Sequence, residues 1–135
     1  MSIRKAGKTD LSQIVTLAAQ YNLDYEGMEA DDFWVAEEGD KIVGICGLRR
    51  HPDCQELCSL GVEEASQKKG LGRELVHTLL QETGSDICLA TVIPEFFQKL
   101  GFERAAAVPP SMIKKADWCA GCSRDRCTIM VKRRG

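Results

Sequence analysis

Apolar residues recur at helical spacing in two parts of the chain. The longer pattern places five apolar side chains on one helical face: Leu71, Leu75, Val76, Leu79 and Leu80. The shorter pattern does the same with Leu11, Ile14, Leu17 and Ala18. Because such spacing is typical of an amphipathic helix, we predict two helices. The helix of the shorter pattern takes Thr9 or Asp10 as its N-cap.

Shorter apolar runs, separated by polar turns, predict strands. They cover residues 2–5, 33–36, 41–48, 56–62, 87–92 and 128–132. Residues 95–100 predict a third, compact helix that ends at Gly101, because glycine commonly follows a helix C-terminus. This order of strands and helices predicts an α+β fold, a sheet with helices on its faces.

Length and composition favour a single domain over residues 1–135, with a Cys-containing C-terminal segment at about 109–127. The chain has 44% hydrophobic and 28% charged residues, which are ordinary values for a domain with one core. Its net charge of −2 argues against nucleic acid as the main partner. No apolar run approaches the roughly 20 residues of a membrane span, so we expect no membrane partner.

The first eight residues, Met-Ser-Ile-Arg-Lys-Ala-Gly-Lys, lack the apolar stretch of a secretory signal. We therefore expect a cytoplasmic protein. In that setting, seven cysteines favour free thiols or metal ligands over a disulfide framework.

A glycine-containing segment lies between a predicted strand and the longer helix. Residues 67–73 read Gln-Lys-Lys-Gly-Leu-Gly-Arg, and we call them the glycine loop. Gly70 and Gly72 carry no Cβ, so a ligand can approach the backbone closely. The following helix N-terminus suits phosphate, and positive charge is added by Lys68, Lys69 and Arg73. The loop predicts a pyrophosphate cradle, although Gly-x-Gly before a helix is common and is weak by itself.

The fuller string Gln-x-x-Gly-x-Gly after a strand resembles the acetyl-CoA motif of the GCN5-related N-acetyltransferases (GNAT). Residues 96–102, Phe-Phe-Gln-Lys-Leu-Gly-Phe, resemble the second CoA motif of that family. The resemblance implies the acyl-CoA N-acyltransferase fold, a mixed central sheet splayed near its middle with helices on both faces. It also implies acetyl-CoA as cosubstrate. The implied cofactor contacts are Leu60 and Val62 through their backbones, Gln67, Lys68, Lys69, Gly70, Leu71, Gly72 and Arg73 around the pyrophosphate, and Phe97.

Ordinary core packing is the alternative for Leu60, Val62 and Phe97. The family usually has a tyrosine at the position of Phe97, which protonates the leaving thiolate. Phenylalanine cannot donate a proton, so the acid for that step is unassigned.

Acetyl transfer to an amine requires a neutral nucleophile, and an α-amino group with a pKa near 8 is only about one-tenth neutral at pH 7. Glu56 is the candidate base, acting directly or through a water, because many family members keep a glutamate at the start of this strand. The alternative is an exposed carboxylate at the sheet edge, which is the common state of a single glutamate.

Two segments bear on the substrate. Residues 56–62, Glu-Leu-Cys-Ser-Leu-Gly-Val, and the tail at 109–122 resemble amino-acid N-acetyltransferases of the N-acetylglutamate synthase type. This implies an amino acid such as L-glutamate as acceptor, and a role in arginine biosynthesis. Cys58 stands where that group has an arginine, and a thiol cannot replace its bidentate contact with a carboxylate. Arg49 and Arg50 could compensate, or they could be solvated.

Cys119, Cys122 and Cys127 form the remaining cluster. Cys-x-x-Cys is metal-ligand spacing, and these residues are the candidate zinc ligands, but tetrahedral zinc takes four ligands. Free thiols and a disulfide between Cys119 and Cys122 are the alternatives.

The sequence thus predicts an acetyl-CoA-dependent N-acetyltransferase that acts on a small amine. Another free or protein amine is one alternative substrate. A non-catalytic CoA-binding or zinc-binding sensor is the alternative from another class. A homodimer is compatible with the sequence, which leaves the oligomeric state open.

Overall fold

The computed structural model describes residues 2–21, 23, 27–52, 54–84, 86–91, 93–105 and 128–133. These residues form the strands β1 Ser2–Lys5, β2 Phe33–Glu38, β3 Lys41–Arg50, β4 Gln55–Val62, β5 Ile87–Thr91, β6 Glu103–Arg104 and β7 Thr128–Lys132. The α-helices are α1 Leu11–Gln20, α2 Leu71–Glu82 and α3 Pro94–Gln98. Short 3-10 helices cover Lys8–Asp10, Ala30–Asp32 and Glu64–Lys69.

Hydrogen-bonded neighbours give the strand order β1-β2-β3-β4-β5-β7-β6, in a mixed sheet. The pairs β1–β2, β2–β3, β5–β7 and β6–β7 are antiparallel. Strand β4 pairs with β5 in parallel, through Gln55 and Glu56 at its start. The predicted α+β class is confirmed.

Two compact units divide these elements. The first unit holds β1, α1, β2, nearly all of β3, the part of β4 from Leu57 onward, and α2. The second holds Arg50–Glu56, β5, α3, β6 and β7. The prediction of a single domain over the whole chain stays a prediction.

In the first unit, α1 and α2 cover opposite faces of β2 and β3. Phe33 and Val35 belong to a core cluster with Ile14 and Leu17 of α1. On the other face, a Cβ on Gly44 would lie 3.0 Å from Leu75 of α2 and 3.4 Å from Ala36. Because both faces are covered, β2 is buried on successive residues rather than on alternate ones. This arrangement confirms helices on both faces for this unit.

The predicted N-cap position of α1 is confirmed at Asp10, but this residue does not cap the helix with its side chain. Asp10 precedes α1, but it already has helical dihedral angles and its side chain makes no capping bond. The preceding 3-10 helix brings it into this conformation, whereas an N-cap needs extended dihedral angles. Its carboxylate accepts hydrogen bonds from Arg4 at 2.8 and 3.1 Å and from the Gly7 N–H at 2.8 Å. Arg4 also pairs with Glu37 at 3.2 Å.

In the second unit, α3 ends at Gln98, two residues before the predicted end at residue 100. The predicted terminator Gly101 follows the helix with a φ of 96°. The Phe102 N–H donates to the Phe97 carbonyl at 3.0 Å, and the Gly101 N–H donates to the Gln98 carbonyl at 3.1 Å. The rings of Phe97 and Phe102 lie 5.6 Å apart. These bonds and this apolar contact form a Schellman motif. Strand β6, with only two exposed residues, carries no apolar pattern and escaped prediction.

Within the described segments, no helix is long and apolar enough to cross a bilayer.

We predict that Asp10 makes the protein sensitive to acid. Hydrogen bonds from Arg4, and then from Gly7, lower the pKa of Asp10. The ionised carboxylate therefore stabilises the fold at pH values above its ordinary unfolded pKa of about 3.9. This contribution is lost as pH falls through the lowered folded-state pKa.

The variant Asp10→Asn should lose on the order of 1 kcal/mol of unfolding free energy at pH 7, since its partner Arg4 is partly exposed. Its stability should then decline less than that of the wild type as the pH is lowered. Urea unfolding over a pH series measures both effects. Asp40→Asn, at an exposed position in the β2–β3 turn, is the matched control. Equal pH slopes for wild type and Asp10→Asn would contradict the prediction.

Candidate active site

Strand β4 connects the predicted base to the glycine loop. Glu56 lies near its start and Val62 at its end, directly before the 3-10 helix Glu64–Lys69 and α2. The Glu63 N–H donates to the Val43 carbonyl at 2.7 Å, which attaches the end of β4 to β3. The predicted base, strand and loop thus follow one another in this order along the chain.

Ser59 interrupts the regular geometry of β4. Its φ of 51° lies in the left-handed region, and it is the one non-glycine residue with positive φ among the described residues. The burial of β4 also fails to alternate, since Leu57 and Cys58 are both buried and Ser59 and Leu60 are both half-buried. Such distortions re-aim backbone groups and recur beside functional sites. This distortion was not predicted from the sequence.

A hydrogen bond and a close contact attach this distorted part of β4 to the segment after α1. The Ser59 hydroxyl donates to the Leu23 carbonyl at 2.8 Å. A Cβ on Gly61 would lie 2.9 Å from the Leu23 side chain and 3.7 Å from Tyr21. Glycine at position 61 therefore lets Leu23 approach the strand. The string Ser-Leu-Gly inside a strand was the available signal, since glycine there often marks a close approach.

The glycine loop has the geometry expected of an anion cradle. Gly70 has a φ of 77° and lies between the 3-10 helix and the first residue of α2. Apart from its own chain neighbours and the adjacent helix backbone, no described heavy atom lies within 4 Å of the position that its Cβ would take. The N–H groups in the first turn of α2 have no partners within the helix and lie at the positive end of its dipole. The backbone is thus open where positive charge is concentrated.

The side chains of the loop divide into buried and exposed ones. Leu71 is fully buried, so only its backbone can meet a ligand, whereas Arg73 is exposed. Gln67 donates from its amide to the Val62 carbonyl at 2.9 Å, which holds the loop on the end of β4. Predicted contacts of the Lys68 and Lys69 side chains lie outside what the structure describes.

Glu56 is buried and paired, which rules out the exposed state considered from the sequence. It is 1% exposed, and its Oε1 lies 2.9 Å from Nε2 of His51. The side chain of His51 is 19% exposed. His51 belongs to the turn between β3 and β4, where its main-chain N–H donates to the Cys54 carbonyl at 2.8 Å. Sequence reasoning did not connect His51 with Glu56.

Phe97 packs inside the second unit. It is 4% exposed and makes edge-to-face contacts with Phe96 and Phe102, whose ring centres lie 5.0 and 5.6 Å away. These contacts agree with the core alternative considered from the sequence. Its predicted contact with CoA stays a prediction.

The three residues predicted to bind substrate differ in exposure. Arg49 is half-buried, Arg50 is exposed, and Cys58 is 7% exposed. The Cys58 sulfur lies 3.2 Å from the position of a Cβ on Gly47, so it fills space in the first unit. Burial, and then the neighbouring Cys58, raise the pKa of the Cys46 thiol well above its ordinary value. Cys46 is thus a protonated core residue. The substrate roles of Arg49, Arg50 and Cys58 stay predictions.

The predicted zinc ligands Cys119, Cys122 and Cys127 lie outside the described residues, so that site stays a prediction. Within the described residues, no group of three or more His, Cys, Asp or Glu side chains is arranged to hold a metal.

The first unit also contains an open polar groove of about 270 Å³ between α1, the start of β3 and Glu63. Lys41 and Glu63 form an ion pair there at 2.9 Å, and Gln13 accepts a bond from the Ile42 N–H at 3.0 Å. None of the predicted site residues lines this groove. These four lining residues already bond one another in pairs, so we consider β4 and the glycine loop as the candidate site instead.

Several known proteins are similar to this chain. Residues 29–104 match the family model of the acetyltransferase (GNAT) domain. N-acetylglutamate synthase from Neisseria gonorrhoeae, complexed with coenzyme A and N-acetyl-glutamate, is 21% identical with a TM-score of 0.78, over 99% of this chain and 35% of the synthase. The chain thus spans about a third of that protein.

Two further solved structures are matched over nearly their whole length. Rv2747 from Mycobacterium tuberculosis, in complex with CoA, is 22% identical with a TM-score of 0.76, over 98% of this chain and 99% of that one. Aminoglycoside 6'-acetyltransferase type Ii is also 22% identical, with a TM-score of 0.69, over 100% of this chain and 98% of that one.

The chain belongs to the GNAT acetyltransferase family, because the family model covers more than half of it. At these identities, similarity to the solved structures concerns the fold alone. It confirms the predicted acyl-CoA N-acyltransferase fold, a mixed seven-stranded sheet with helices in the described residues.

We predict that Ser59 stores backbone strain. Ser59→Ala keeps a left-handed residue with a Cβ, whereas Ser59→Gly removes that strain, and both lose the bond to Leu23. Ser59→Gly should therefore be more stable than Ser59→Ala by about 1 kcal/mol in urea unfolding. Ala90→Gly in β5 is the control, because glycine ordinarily destabilises a strand by about 0.5–1 kcal/mol relative to alanine. Greater stability of Ser59→Ala would contradict the strain.

Proposed function

We propose that this chain is an acetyl-CoA-dependent N-acetyltransferase that transfers an acetyl group to the amine of a small molecule. The observation that carries the proposal is the glycine loop, where left-handed Gly70 opens the N-terminus of α2 after the distorted strand β4. Membership of the GNAT family supports it. Fold similarity to two proteins solved with coenzyme A points in the same direction.

Acetyl-CoA fits the residues present. The open backbone at Gly70 and the first-turn N–H groups of Leu71, Gly72 and Arg73 suit a pyrophosphate. The exposed guanidinium of Arg73 adds a charge-assisted donor. Because Gln67 bonds the Val62 carbonyl, the loop is positioned before any ligand arrives.

We assign the pantetheine arm to the backbone of β4, at Leu60 and Val62. The left-handed residue Ser59 supports this assignment, because it turns the backbone groups of the next residue away from a regular ladder direction. The thioester supplies an activated acetyl group when acetyl-CoA is bound. The chain itself must position that group and remove a proton from the amine.

We assign proton removal to Glu56. Glu56 is 1% exposed, and electrostatic interactions are stronger in such a low-dielectric setting than at the surface. General-base assistance of this kind contributes about a hundredfold to ten-thousandfold to the rate. In this assignment Glu56 drives the deprotonation of the amine, either by direct contact with it or through an intervening group.

The acceptor is an amino acid in our proposal, with L-glutamate as the first candidate. The synthase structure contains N-acetyl-glutamate, which supports this choice. An aminoglycoside acetyltransferase is matched at a similar level of identity, so other free amines belong in the same experiment. Arg49 and Arg50 are the residues assigned to an acceptor carboxylate, with Cys58 beside them on β4.

The test is release of thiol from acetyl-CoA by purified protein. The amines offered are L-glutamate and other amino acids, polyamines, aminoglycosides and basic peptides. We expect turnover with a small amine, and turnover confined to glutamate would support the amino-acid assignment. Tight binding of CoA without turnover of any amine would overturn the proposal in favour of a sensor.

We predict that Gly70→Glu weakens CoA binding by about a hundredfold or more, as measured by isothermal titration. The carboxylate would occupy the open space of the cradle and repel the pyrophosphate, and such like-charge contacts cost several kcal/mol. Gly39→Glu is the matched control, because Gly39 has a positive φ of 62° and equally open space in the β2–β3 turn. Equal affinities of the two variants would reject the cradle.

A further inference from the structure

The buried position of Glu56 raises the question of how a proton leaves the site. Its carboxylate is 1% exposed, and one of its two oxygens is 2.9 Å from His51. His51 is the more exposed partner, with 19% of its side chain accessible. Protons that pass between this pair and solvent therefore have a shorter route through the imidazole than through the carboxylate.

The proposed reaction releases one proton per turnover. An ammonium acceptor loses one proton before its nitrogen attacks the thioester carbonyl, and a second when the amide forms. The C–S bond breaks and the leaving thiolate takes up one of these protons. The other must reach solvent, so the site needs a group that accepts a proton and then releases it to water.

The geometry of the pair makes His51 that group. An ionised carboxylate only accepts hydrogen bonds, so it fixes the proton of the neutral ring on Nε2 and leaves the lone pair on Nδ1. When Nδ1 takes up a proton, the charge of Glu56 stabilises the imidazolium, and Nδ1 later releases that proton. The main-chain N–H of His51 donates to the Cys54 carbonyl at 2.8 Å, and this bond holds the main chain beside the ring in place.

We propose that His51 is the residue that accepts the proton of the acceptor amine, and that Glu56 is a positioning residue that orients His51 and stabilises its charged form. This inference rests on the proposed acetyltransferase function and names how Glu56 acts in it. Neither the GNAT motifs nor the sequence pattern assigned a role in proton transfer to His51.

Other ionisable groups lie near the pair in the second unit. Arg50 directly precedes His51, and Cys54 follows it by three residues. Cys88 is the cross-strand neighbour of Glu56, and Asp86 precedes β5. The Cys88 thiol donates to the Gln55 carbonyl at 3.3 Å. The variants below leave all four of these groups in place, so that only the pair is changed.

The kinetic test uses His51→Gln, Glu56→Gln and the double variant, with His77→Gln as the control. His77 is an exposed residue of α2 and the only other histidine in the sequence. We expect His51→Gln to lower kcat by about a hundredfold or more, with the KM for acetyl-CoA nearly unchanged. The rise of rate with pH should be lost, and free imidazole should restore part of the rate to His51→Ala.

Because the two residues act as one unit, the double variant should be no slower than the slower single variant. His77→Gln should keep the wild-type rate and pH profile. An active wild type whose His51→Gln variant stays within about threefold of its rate, while Glu56→Gln loses about a hundredfold, would overturn the proposal. In that case Glu56 acts directly and the acetyltransferase function still stands.

A second measurement is independent of turnover and of variant folding. Nitrogen-15 NMR of the wild type should show His51 with its proton on Nε2, and His77 in the same spectrum serves as the reference. In Glu56→Gln, the side-chain amide can both donate and accept a hydrogen bond. His51 should therefore lose its preference for a proton on Nε2, while the spectrum of His77 stays unchanged. If neutral His51 carried its proton on Nδ1 in the wild type, the proposed role of Glu56 in orienting His51 would be overturned. A wild type without turnover of any amine would overturn the proposed function and this proposal together.

Discussion

The hydrogen bond from Ser59 to the Leu23 carbonyl is the interaction on which the arrangement of the site depends. It holds a non-glycine residue in the left-handed region in the middle of β4. A regular strand would present its backbone groups to neighbouring strands along its whole length. The described pairing of β4 with β5 lies before this distortion, at Gln55 and Glu56. After it, Gly61 leaves room for Leu23 to lie against the strand.

Positive φ angles recur along this path for different physical reasons. At Gly70 the left-handed conformation has little cost, because glycine lacks a Cβ, and it connects two helical segments at a point that is open to a ligand. At Ser59 it is strained and needs a tertiary contact to persist. Gly101 has a third role, since it ends α3 and lets Phe102 return to pack on Phe97.

Local sequence predicted the elements whose determinants lie within a few residues. The leucine spacing of α2, the terminating Gly101 and the alternating pattern of β7 were each sufficient, and β7 was predicted with its observed bounds. The glycine loop belongs to the same group, because its strand end, its glycines and the helix start are adjacent in the chain. Asp10 was misread although its partners are also near in the chain, since its carboxylate bonds Arg4, six residues away, and the Gly7 N–H instead of capping α1.

By itself, the sequence determined the α+β order of elements, the family motifs and the place of the glycine loop, because each follows from periodicity or from residues adjacent in the chain. Tertiary structure alone decided the strain at Ser59, whose partner Leu23 is 36 residues away. It also decided the burial of Glu56, which becomes a paired carboxylate rather than an exposed one. His51 is only five residues from Glu56 in sequence, but the turn between β3 and β4 must form before the two side chains can meet.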